Sequence, residues 1–257
     1  MESLVGKRAL VTGGTSGIGL AVARSFVESD ATVFISGRRP NGDEIAGSIG
    51  AHCLRGDASE EEDVIRVLDL AATDGKLDVV VINAGIAEDE GSVETVSSES
   101  VRRIFEVNLF GAFLMLKYAP SRMNDNGSII CTGSVAGSGL THAGTGAYAA
   151  SKAGITYLAR SSAIELAERG IRVNCVCPAM IAGTGMMTED DGGEESQFLG
   201  ALTSMNRMGR LDEVVGAYKF LASDGASFIT GQEIRVDGGA SAGIGMPVFR
   251  ALSGEVA

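Results

Sequence analysis

The sequence predicts an α/β fold, a single-domain Rossmann-type doubly wound parallel sheet of about seven strands with helices on both faces. Short β-rich runs alternate with helix-length amphipathic stretches along all 257 residues. The run Leu77–Asn83 is almost wholly apolar, as expected of a central parallel strand that is covered on both faces. No linker, repeat or low-complexity tract interrupts the alternation, which favours one domain over residues 1–257.

The first half of the chain supplies four of the predicted strands, which are Arg8–Thr12, Thr32–Ser36, Ala51–Gly56 and Leu77–Asn83. A helix is predicted over Ile18–Glu28, because Ile18, Val22 and Phe26 recur at four-residue spacing and share one face. A second helix is predicted to begin within Ser59–Asp63, whose acidic side chains complement the positive end of a helix dipole.

The second half repeats the alternation. Its predicted strands are Ser128–Thr132, Ile171–Cys177 and Gln232–Val236, and its predicted helices are Ser100–Ser121, Ala147–Glu168 and Asp212–Ala222. The stretch Met186–Met205 is rich in glycine and acidic residues at first and amphipathic later, which sets it apart from the regular elements.

Composition excludes several classes of protein. The 21 basic and 33 acidic residues leave a net charge of −12, which argues against a nucleic-acid binder. No apolar run is long enough to span a bilayer, and the start lacks a basic leader with an apolar core, so we expect a cytoplasmic protein. The four cysteines form no CxxC pair and there are only two histidines, so no metal site is predicted.

A glycine-rich turn, Thr12–Gly19 (TGGTSGIG), links the first strand to its helix. Gly13 permits the tight turn, Gly17 lets the backbone approach a pyrophosphate, and Gly19 lets the helix pack closely on the strand. The N–H groups that open the helix can bind the phosphates. A plain glycine turn is the other interpretation, but the strand–turn–helix context favours nucleotide binding. Since no Gly-Lys-Ser/Thr ending follows, a P-loop nucleotidase is disfavoured.

The second strand is followed by Gly37, Arg38 and Arg39, where an NAD site would carry an acidic residue. Such a carboxylate would bind the ribose 2′-hydroxyl and repel a 2′-phosphate. A guanidinium can instead stack on adenine and bind the phosphate through charge-assisted hydrogen bonds. The sequence therefore favours NADP(H), with NAD(H) as the alternative and Arg38 as the main contact. The competing interpretation is that both arginines are solvated loop charges.

Tyr148 and Lys152 stand four residues apart on a predicted helix and hence on one face. An ammonium close to a phenol favours the phenolate, so the phenol can exchange a proton with a carbonyl or an alcohol near neutral pH. Taken alone, a Tyr–Lys pair at this spacing is also ordinary helix surface.

In combination, these residues resemble the short-chain dehydrogenase/reductase family, and the resemblance covers nearly the whole chain. The matching residues follow in the family's order: Thr12–Gly19, Asn83-Ala84-Gly85, Asn108, Ser134, Tyr148 with Lys152, Asn174–Pro178, and Val236–Gly239. The resemblance implies reversible hydride transfer between a nicotinamide and a carbonyl or secondary alcohol. One departure is Pro178-Ala179, where the family usually reads Pro-Gly.

The resemblance also implies the roles of the site residues. Tyr148 would be the acid/base, Lys152 would hold the nicotinamide ribose, Ser134 would donate a hydrogen bond to the substrate oxygen, and Asn108 would position a water. Asp57 and Ala58 would lie near adenine, and Ile181 and Thr184 near the carboxamide. The cofactor contacts expected in all are Gly13, Thr15, Ser16, Gly17, Ile18, Gly19, Arg38, Arg39, Asp57, Ala58, Asn83, Ala84, Gly85, Tyr148, Lys152, Pro178, Ile181 and Thr184.

Two segments outside this set are assigned by position. Residues 185–205 correspond to the family's variable substrate lid, whose apolar side chains favour a small-to-medium apolar substrate, and residues 240–257 form a C-terminal tail. Leu140 and His142 lie in the loop between the catalytic serine and tyrosine and are candidates for the pocket wall that faces substrate; for His142 the favoured interpretation is a solvated loop histidine, outside the site. The family commonly forms tetramers, so we expect a homotetramer, with a dimer as the alternative.

Two other functions stay open at this stage. A 3-oxoacyl-(acyl-carrier-protein) reductase of the same family would need basic residues to dock its acidic carrier. Arg169 occupies one such place, but Met123–Asn126 supplies no basic residue for the other, and the net charge of −12 opposes docking. A non-catalytic dinucleotide-binding sensor is the second alternative, and the presence of Ser134, Tyr148 and Lys152 speaks against it.

Overall fold

A computed structural model describes residues 3–87, 91–187 and 193–253. Its sheet has seven parallel strands in the order β3-β2-β1-β4-β5-β6-β7, which confirms the predicted single-domain fold. The strands are β1 Arg8–Thr12, β2 Thr32–Gly37, β3 His52–Arg55, β4 Leu77–Ile82, β5 Met123–Thr132, β6 Arg172–Pro178 and β7 Glu233–Val236.

Helices cover both faces of the sheet. They are α1 Gly17–Val27, α2 Gly42–Ile49, α3 Glu61–Ala71, α4 Ser98–Ile104, α5 Gly111–Tyr118, α6 Gly146–Glu165, α7 Glu194–Ala201, α8 Leu211–Ala222 and α9 Met246–Ser253. One apolar core joins the sheet to α3, α5 and α6, and the other joins it to α1, α2 and α8. Adjacent residues of a strand belong to different cores: Val80 packs with the first and Val81 with the second.

Three elements depart from the sequence prediction. The predicted helix Ser100–Ser121 is divided, because the π-helical segment Phe105–Phe110 separates α4 from α5. Helix α2 is not predicted, because its sequence contains two glycines and only a short apolar face. Ala46 and Ile49 of that face are buried in the core. Helix α9 forms within the predicted tail, where the sequence suggested no element.

The cysteines behave as apolar core residues. Cys131, Cys175 and Cys177 are buried in the core on the α6 side, and all four cysteines are free thiols. Burial raises the pKa of the Cys131 thiol to about 12, so it stays protonated at neutral pH.

Within the described ranges, none of the helices combines the length and the apolar character that crossing a bilayer requires. The same residues contain no group of three or more histidine, cysteine, aspartate or glutamate side chains arranged to hold a metal ion.

Candidate active site

An elongated cavity of about 470 Å³ opens at the carboxyl ends of the strands. It extends across the positions where β1 and β4, neighbours in the sheet, send their chains to opposite faces. Ligands of open α/β sheets bind at this point, because the diverging connections leave a crevice there.

The cavity brings most of the predicted site residues together. The predicted residues on its wall are Gly13, Thr15, Ser16, Gly17, Ile18, Arg38, Arg39, Asp57, Ala58, Asn83, Ala84, Gly85, Ser134, Tyr148, Lys152, Pro178, Ile181 and Thr184. Two predicted residues, Gly19 and Asn108, are not on the wall. Both lie directly behind it.

Gly19 is a packing glycine. A Cβ there would lie 2.4 Å from the carbonyl oxygen of Gly13 and 2.5 Å from Nδ2 of Asn83, so only glycine allows α1 to approach β1 and β4 so closely. Gly17 has φ +52°, and a Cβ there would lie 2.5 Å from the carbonyl oxygen of Thr184. The space that a side chain at this position would fill is occupied by the backbone of Thr184. The sequence predicted that Gly17 lets the backbone approach a pyrophosphate, but it did not predict this contact.

Asn83 ties three strand ends together. Its Nδ2 donates to the carbonyl oxygens of Thr12 at 3.1 Å and Gly13 at 3.3 Å, and its Oδ1 accepts from Thr132 Oγ1 at 3.2 Å. Thr12 Oγ1 in turn accepts from the backbone N–H groups of Asn83 and Ala84. Thus the side chain of Asn83 shapes the wall of the cavity by fixing the glycine turn.

Asn108 lies in the π-helical segment and is fully buried. Its Oδ1 accepts from the N–H of Ile86 at 2.8 Å, and its Nδ2 donates to the Ile86 carbonyl at 2.9 Å and to Ser151 Oγ at 3.1 Å. Ser151 Oγ donates onward to the Tyr148 carbonyl at 2.7 Å. Asn108 therefore joins the chain after β4 to the helix that carries Tyr148. No sequence signal marks Ser151 as part of this connection.

Lys152 is a buried cation at the centre of the cavity. Its side chain reaches from α6 to the end of β5, where Nζ donates to the Thr132 carbonyl at 2.9 Å. Nζ lies 5.7 Å from the centre of the Tyr148 ring, and a Cβ on Gly85 would lie 3.2 Å from it. The two predicted partners, Tyr148 and Lys152, thus face the same space.

Ser134 follows β5 and is buried beside the cavity. Its Oγ accepts a hydrogen bond from the N–H of Ala136 at 3.1 Å. Because this bond uses an oxygen lone pair, the hydroxyl proton can be donated to a ligand. Buried serine, buried lysine and half-buried tyrosine meet in one cavity.

At the far end of the cavity, Asp57 is flanked by two arginines. Its Oδ2 lies 3.5 Å from Nη1 of Arg38 and 3.8 Å from Nη2 of Arg103. Partial burial by itself would raise the pKa of Asp57. Hydrogen bonds from the N–H and hydroxyl of Ser59, together with the two arginines, outweigh it and hold the pKa below its ordinary value. Arg103 is not among the sequence-predicted site residues.

The opposite end of the cavity is mostly apolar. Its apolar lining residues are Ile86, Val135, Leu140, Met186, Met187 and Leu202. His142 and Thr145 are polar members of this wall. The interpretation of His142 as a solvated loop residue is therefore incomplete, since its exposed ring also borders the cavity.

The lid segment is described in part. Met186, Met187 and Leu202 line the cavity, whereas Phe198 and Met205 are exposed, with accessible fractions of 65% and 66%. Glu194 and Glu195 are exposed in the first turn of α7. The acidic run Glu189–Asp191 lies outside the described residues, as do residues 254–257 of the tail.

A family model described as enoyl-(acyl-carrier-protein) reductase matches residues 13–241. The cis-4-hydroxycyclohexanecarboxylate dehydrogenase of Sinomonas cyclohexanicum is 36% identical over 94% of this chain and 99% of its own length. The NADP-dependent (R)-specific alcohol dehydrogenase of Lentilactobacillus kefiri is 37% identical over 94% of this chain and 99% of its own.

The fold agrees with these sequence matches. A short-chain dehydrogenase/reductase from Serratia marcescens superposes with a TM-score of 0.87 and 29% identity, covering 93% of this chain and 99% of that one. The match to the family model includes strands β2 to β7 and every residue that lines the cavity. The chain belongs to the short-chain dehydrogenase/reductase family.

Proposed function

We propose that this protein is an NADP(H)-dependent oxidoreductase that interconverts a neutral ketone and the corresponding secondary alcohol. The observation that carries the proposal is the convergence of Ser134, Tyr148 and Lys152 in a cavity whose other end holds Arg38 and Arg39. A proton donor, a cation and a hydroxyl donor thus face one space that continues to a cationic end. This arrangement is what carbonyl reduction with a 2′-phosphorylated dinucleotide requires.

The residues present fit such a cofactor. The glycine turn brings the start of α1, with its free N–H groups, to the cavity wall beside Ser16 and Gly17. Lys152 Nζ gives one N–H to the Thr132 carbonyl and carries two more that can bind ribose hydroxyls. Arg38 and Arg39 are exposed cations placed for a 2′-phosphate. The NADP dependence of the Lentilactobacillus kefiri relative supports the same cofactor.

When bound, the nicotinamide supplies or accepts the hydride. In reduction, the Tyr148 hydroxyl gives its proton to the carbonyl oxygen; in oxidation, the phenolate takes the proton from the alcohol. The Lys152 ammonium stabilises that phenolate by charge. Ser134 donates a hydrogen bond to the same substrate oxygen, since the bond that its Oγ accepts from Ala136 N–H leaves the hydroxyl proton free. Negative charge that develops on this oxygen is thereby stabilised.

Asn108 takes part through the residues it connects. Both of its amide atoms are engaged with Ile86 and Ser151, so its side chain holds the Ile86 segment against α6. We assign to it the ordering of the proton path that leads from Lys152 toward solvent. Such a path returns Tyr148 to its starting protonation state after each turnover.

The substrate end favours a neutral, small-to-medium apolar molecule. Its wall consists mainly of aliphatic and methionine side chains, with the His142 ring as a polar contact. The two arginines of the cavity follow β2 at the other end, where Arg38 approaches Asp57. Burying a carboxylate against such a surface would be costly without a paired cation. We assign Met186, Met187 and Leu202 of the segment 185–205 to a lid over this end.

The alternative is a 3-oxoacyl-(acyl-carrier-protein) reductase; the matching family model is described by a different reduction on the same carrier, that of an enoyl group. The structure supplies little basic surface for an acidic carrier where the family would dock one. Arg169 forms an ion pair with Asp125 and donates to the carbonyls of Pro120 and Met123. Arg122 pairs with Asp69. We therefore rank this function second, and a non-catalytic sensor third.

We also propose a cytoplasmic homotetramer. Four free thiols, three of them buried, are typical of proteins kept in a reducing compartment. On α5, α6 and the π-helical segment, several large apolar side chains are exposed, namely Phe110, Phe113, Tyr157 and Ile164. Exposed apolar patches of this kind mark subunit contacts.

The test is a substrate screen. Oxidation of NADPH is followed by its absorbance with a panel of aliphatic and cyclic ketones, their carboxylated analogues and an acyl-carrier-protein thioester. We expect turnover of the neutral ketones and little of the carboxylates. Exclusive turnover of the carrier thioester would establish the alternative, and NADPH binding without turnover of any ketone would favour the sensor.

A further inference from the structure

The carboxylate of Asp57 is contacted from three parts of the chain: the end of β2, helix α4 and its own loop after β3. Arg38 approaches Oδ2 from the end of β2 at 3.5 Å, and Arg103 approaches the same oxygen from α4 at 3.8 Å. The other oxygen, Oδ1, accepts from the N–H of Ser59 at 3.0 Å and from its hydroxyl at 2.7 Å. The backbone N–H of Asp57 donates to Asp63, which itself pairs with Arg66.

The two arginines differ in position. Arg38 and Asp57 lie on the cavity wall, and Arg103 does not. The Arg38 side chain is 55% exposed, whereas the Arg103 side chain is 33% exposed and the Asp57 carboxylate 23%. Arg103 therefore approaches Asp57 from outside the residues that line the cavity and is less exposed than Arg38.

The charges show what this arrangement does. Arg38 with Asp57 alone would be a neutral pair, and a carboxylate facing a 2′-phosphate would repel it. With Arg103 included, two positive charges and one negative charge leave a net charge of +1. Asp57 is ionised at neutral pH, since its neighbours hold its pKa low. The positive charge of Arg103 therefore offsets the carboxylate, so that the charge of Arg38 beside Arg39 on the cavity wall is not cancelled by Asp57.

We propose that Arg103 is a positioning residue that determines cofactor specificity. By sharing Asp57, Arg103 leaves the guanidinium of Arg38 available for the 2′-phosphate of NADP(H). The inference rests on the cofactor assigned in the proposed function. It predicts that loss of Arg103 allows Asp57 to pair with Arg38 alone, which weakens binding of NADPH and leaves NADH nearly unaffected.

The test measures dissociation constants of NADPH and NADH by calorimetry for wild type, Arg103→Gln, Arg103→Lys and Arg102→Gln. Arg102 is exposed, neighbours Arg103 on α4 and undergoes the same charge change, which makes it the matched control. We expect Arg103→Gln to weaken NADPH by about five- to tenfold and NADH by less than about twofold. Arg103→Lys retains most of the affinity, and Arg102→Gln behaves as wild type.

A double variant tests the route through Asp57. If Arg103 acts by sharing the carboxylate, then Arg103→Gln costs little NADPH affinity in an Asp57→Asn background. Equal weakening of NADPH and NADH by Arg103→Gln would show that Arg103 only orders Asp57 beside adenine, and would overturn the inference. So would equal effects of Arg103→Gln and Arg102→Gln. A wild type that binds NADPH no more tightly than NADH would instead refute the cofactor assignment on which the inference depends.

Discussion

At the scale of single residues, the site depends on buried polar side chains. Some of them use only part of their hydrogen-bonding capacity within the protein, so that a donor remains for a ligand. Ser134 accepts from Ala136 and keeps its proton for a ligand. Lys152 gives one N–H to Thr132 and keeps the others. Both amide atoms of Asn108 are hydrogen-bonded within the protein, so Asn108 acts by connecting Ile86 to Ser151 on α6. Residue types alone do not distinguish these cases, since each depends on which partner the fold supplies.

Tyr148→Phe removes the proposed acid/base and leaves the ring in place. We expect kcat to fall by about 10²- to 10⁴-fold, the usual contribution of general acid–base catalysis, while the dissociation constant of NADPH changes little. Stopped-flow turnover and calorimetry measure the two quantities. Tyr118→Phe is the matched control, because Tyr118 is on α5, is not on the cavity wall and hydrogen-bonds to Glu61. Normal turnover in Tyr148→Phe would remove the proposed mechanism.

At the scale of elements, the irregular segments position the site. The π-helical segment Phe105–Phe110 divides one long helix and places Asn108 within hydrogen-bond distance of the Ile86 backbone. The short turn after Ser134 packs on α6, where a Cβ at Gly137 would lie 2.4 Å from the N–H nitrogen of Ala153. The π-helical segment is joined to α6 by the Asn108–Ser151 hydrogen bond, and the turn after Ser134 is joined to it by close backbone packing.

Helix α8 offers an element-scale prediction of pH dependence. Glu213 accepts from the N–H of Arg210 at 2.9 Å and from both Nη atoms of Arg207, which together lower its pKa to about 2. A carboxyl with a lowered pKa stabilises the fold above its unfolded pKa, and this contribution is lost as pH falls through the folded value. We expect Glu213→Gln to lower Tm at pH 7, and this difference to shrink as pH falls toward 2, where the carboxyl begins to be protonated in the folded protein.

Thermal unfolding from pH 2 to pH 8 measures this difference. Glu194→Gln is the control, since Glu194 is exposed in the first turn of α7. A Tm deficit for Glu213→Gln that is the same at both ends of the range would show that the carboxylate charge is not what stabilises the start of α8.

At the scale of the whole molecule, two apolar cores lie on either side of one parallel sheet, and the site lies at the carboxyl ends of the strands. The chain also exposes apolar side chains on α5 and α6 that a stable monomer would rarely leave in water. The proposed subunit surface therefore lies on the same elements that hold Asn108 and Tyr148. Assembly and catalysis are expected to be coupled through them.

Phe113→Glu tests the proposed assembly. A charge at this 43% exposed position, beside the stacked ring of Phe110, cannot be buried without cost in a subunit contact. We expect light scattering to report four copies for the wild type and fewer for the variant. Val93→Glu, at an 87% exposed site in a loop, should leave the mass unchanged. A monomeric wild type would refute the proposal.

The sequence by itself determined the fold class and most of the cavity wall. Strand periodicity, the glycine turn and the Tyr148–Lys152 spacing are local signals, because they depend on residues within one or two turns of each other. The same is true of Gly37-Arg38-Arg39, which follows directly on a strand. Such signals can be read from the sequence without knowledge of the fold, and the parallel sheet then brings the strand ends together.

Only the tertiary structure decided which distant residues meet there. Arg103 reaches Asp57 from 46 positions along the chain, and Ser151 reaches Asn108 from 43. His142 borders the cavity because of how its loop returns to α6. Helix α2 and the π-helical segment likewise depend on packing against the sheet rather than on their own propensities. Contacts of this kind arise from chain topology, which places side chains together without leaving a local pattern in the sequence.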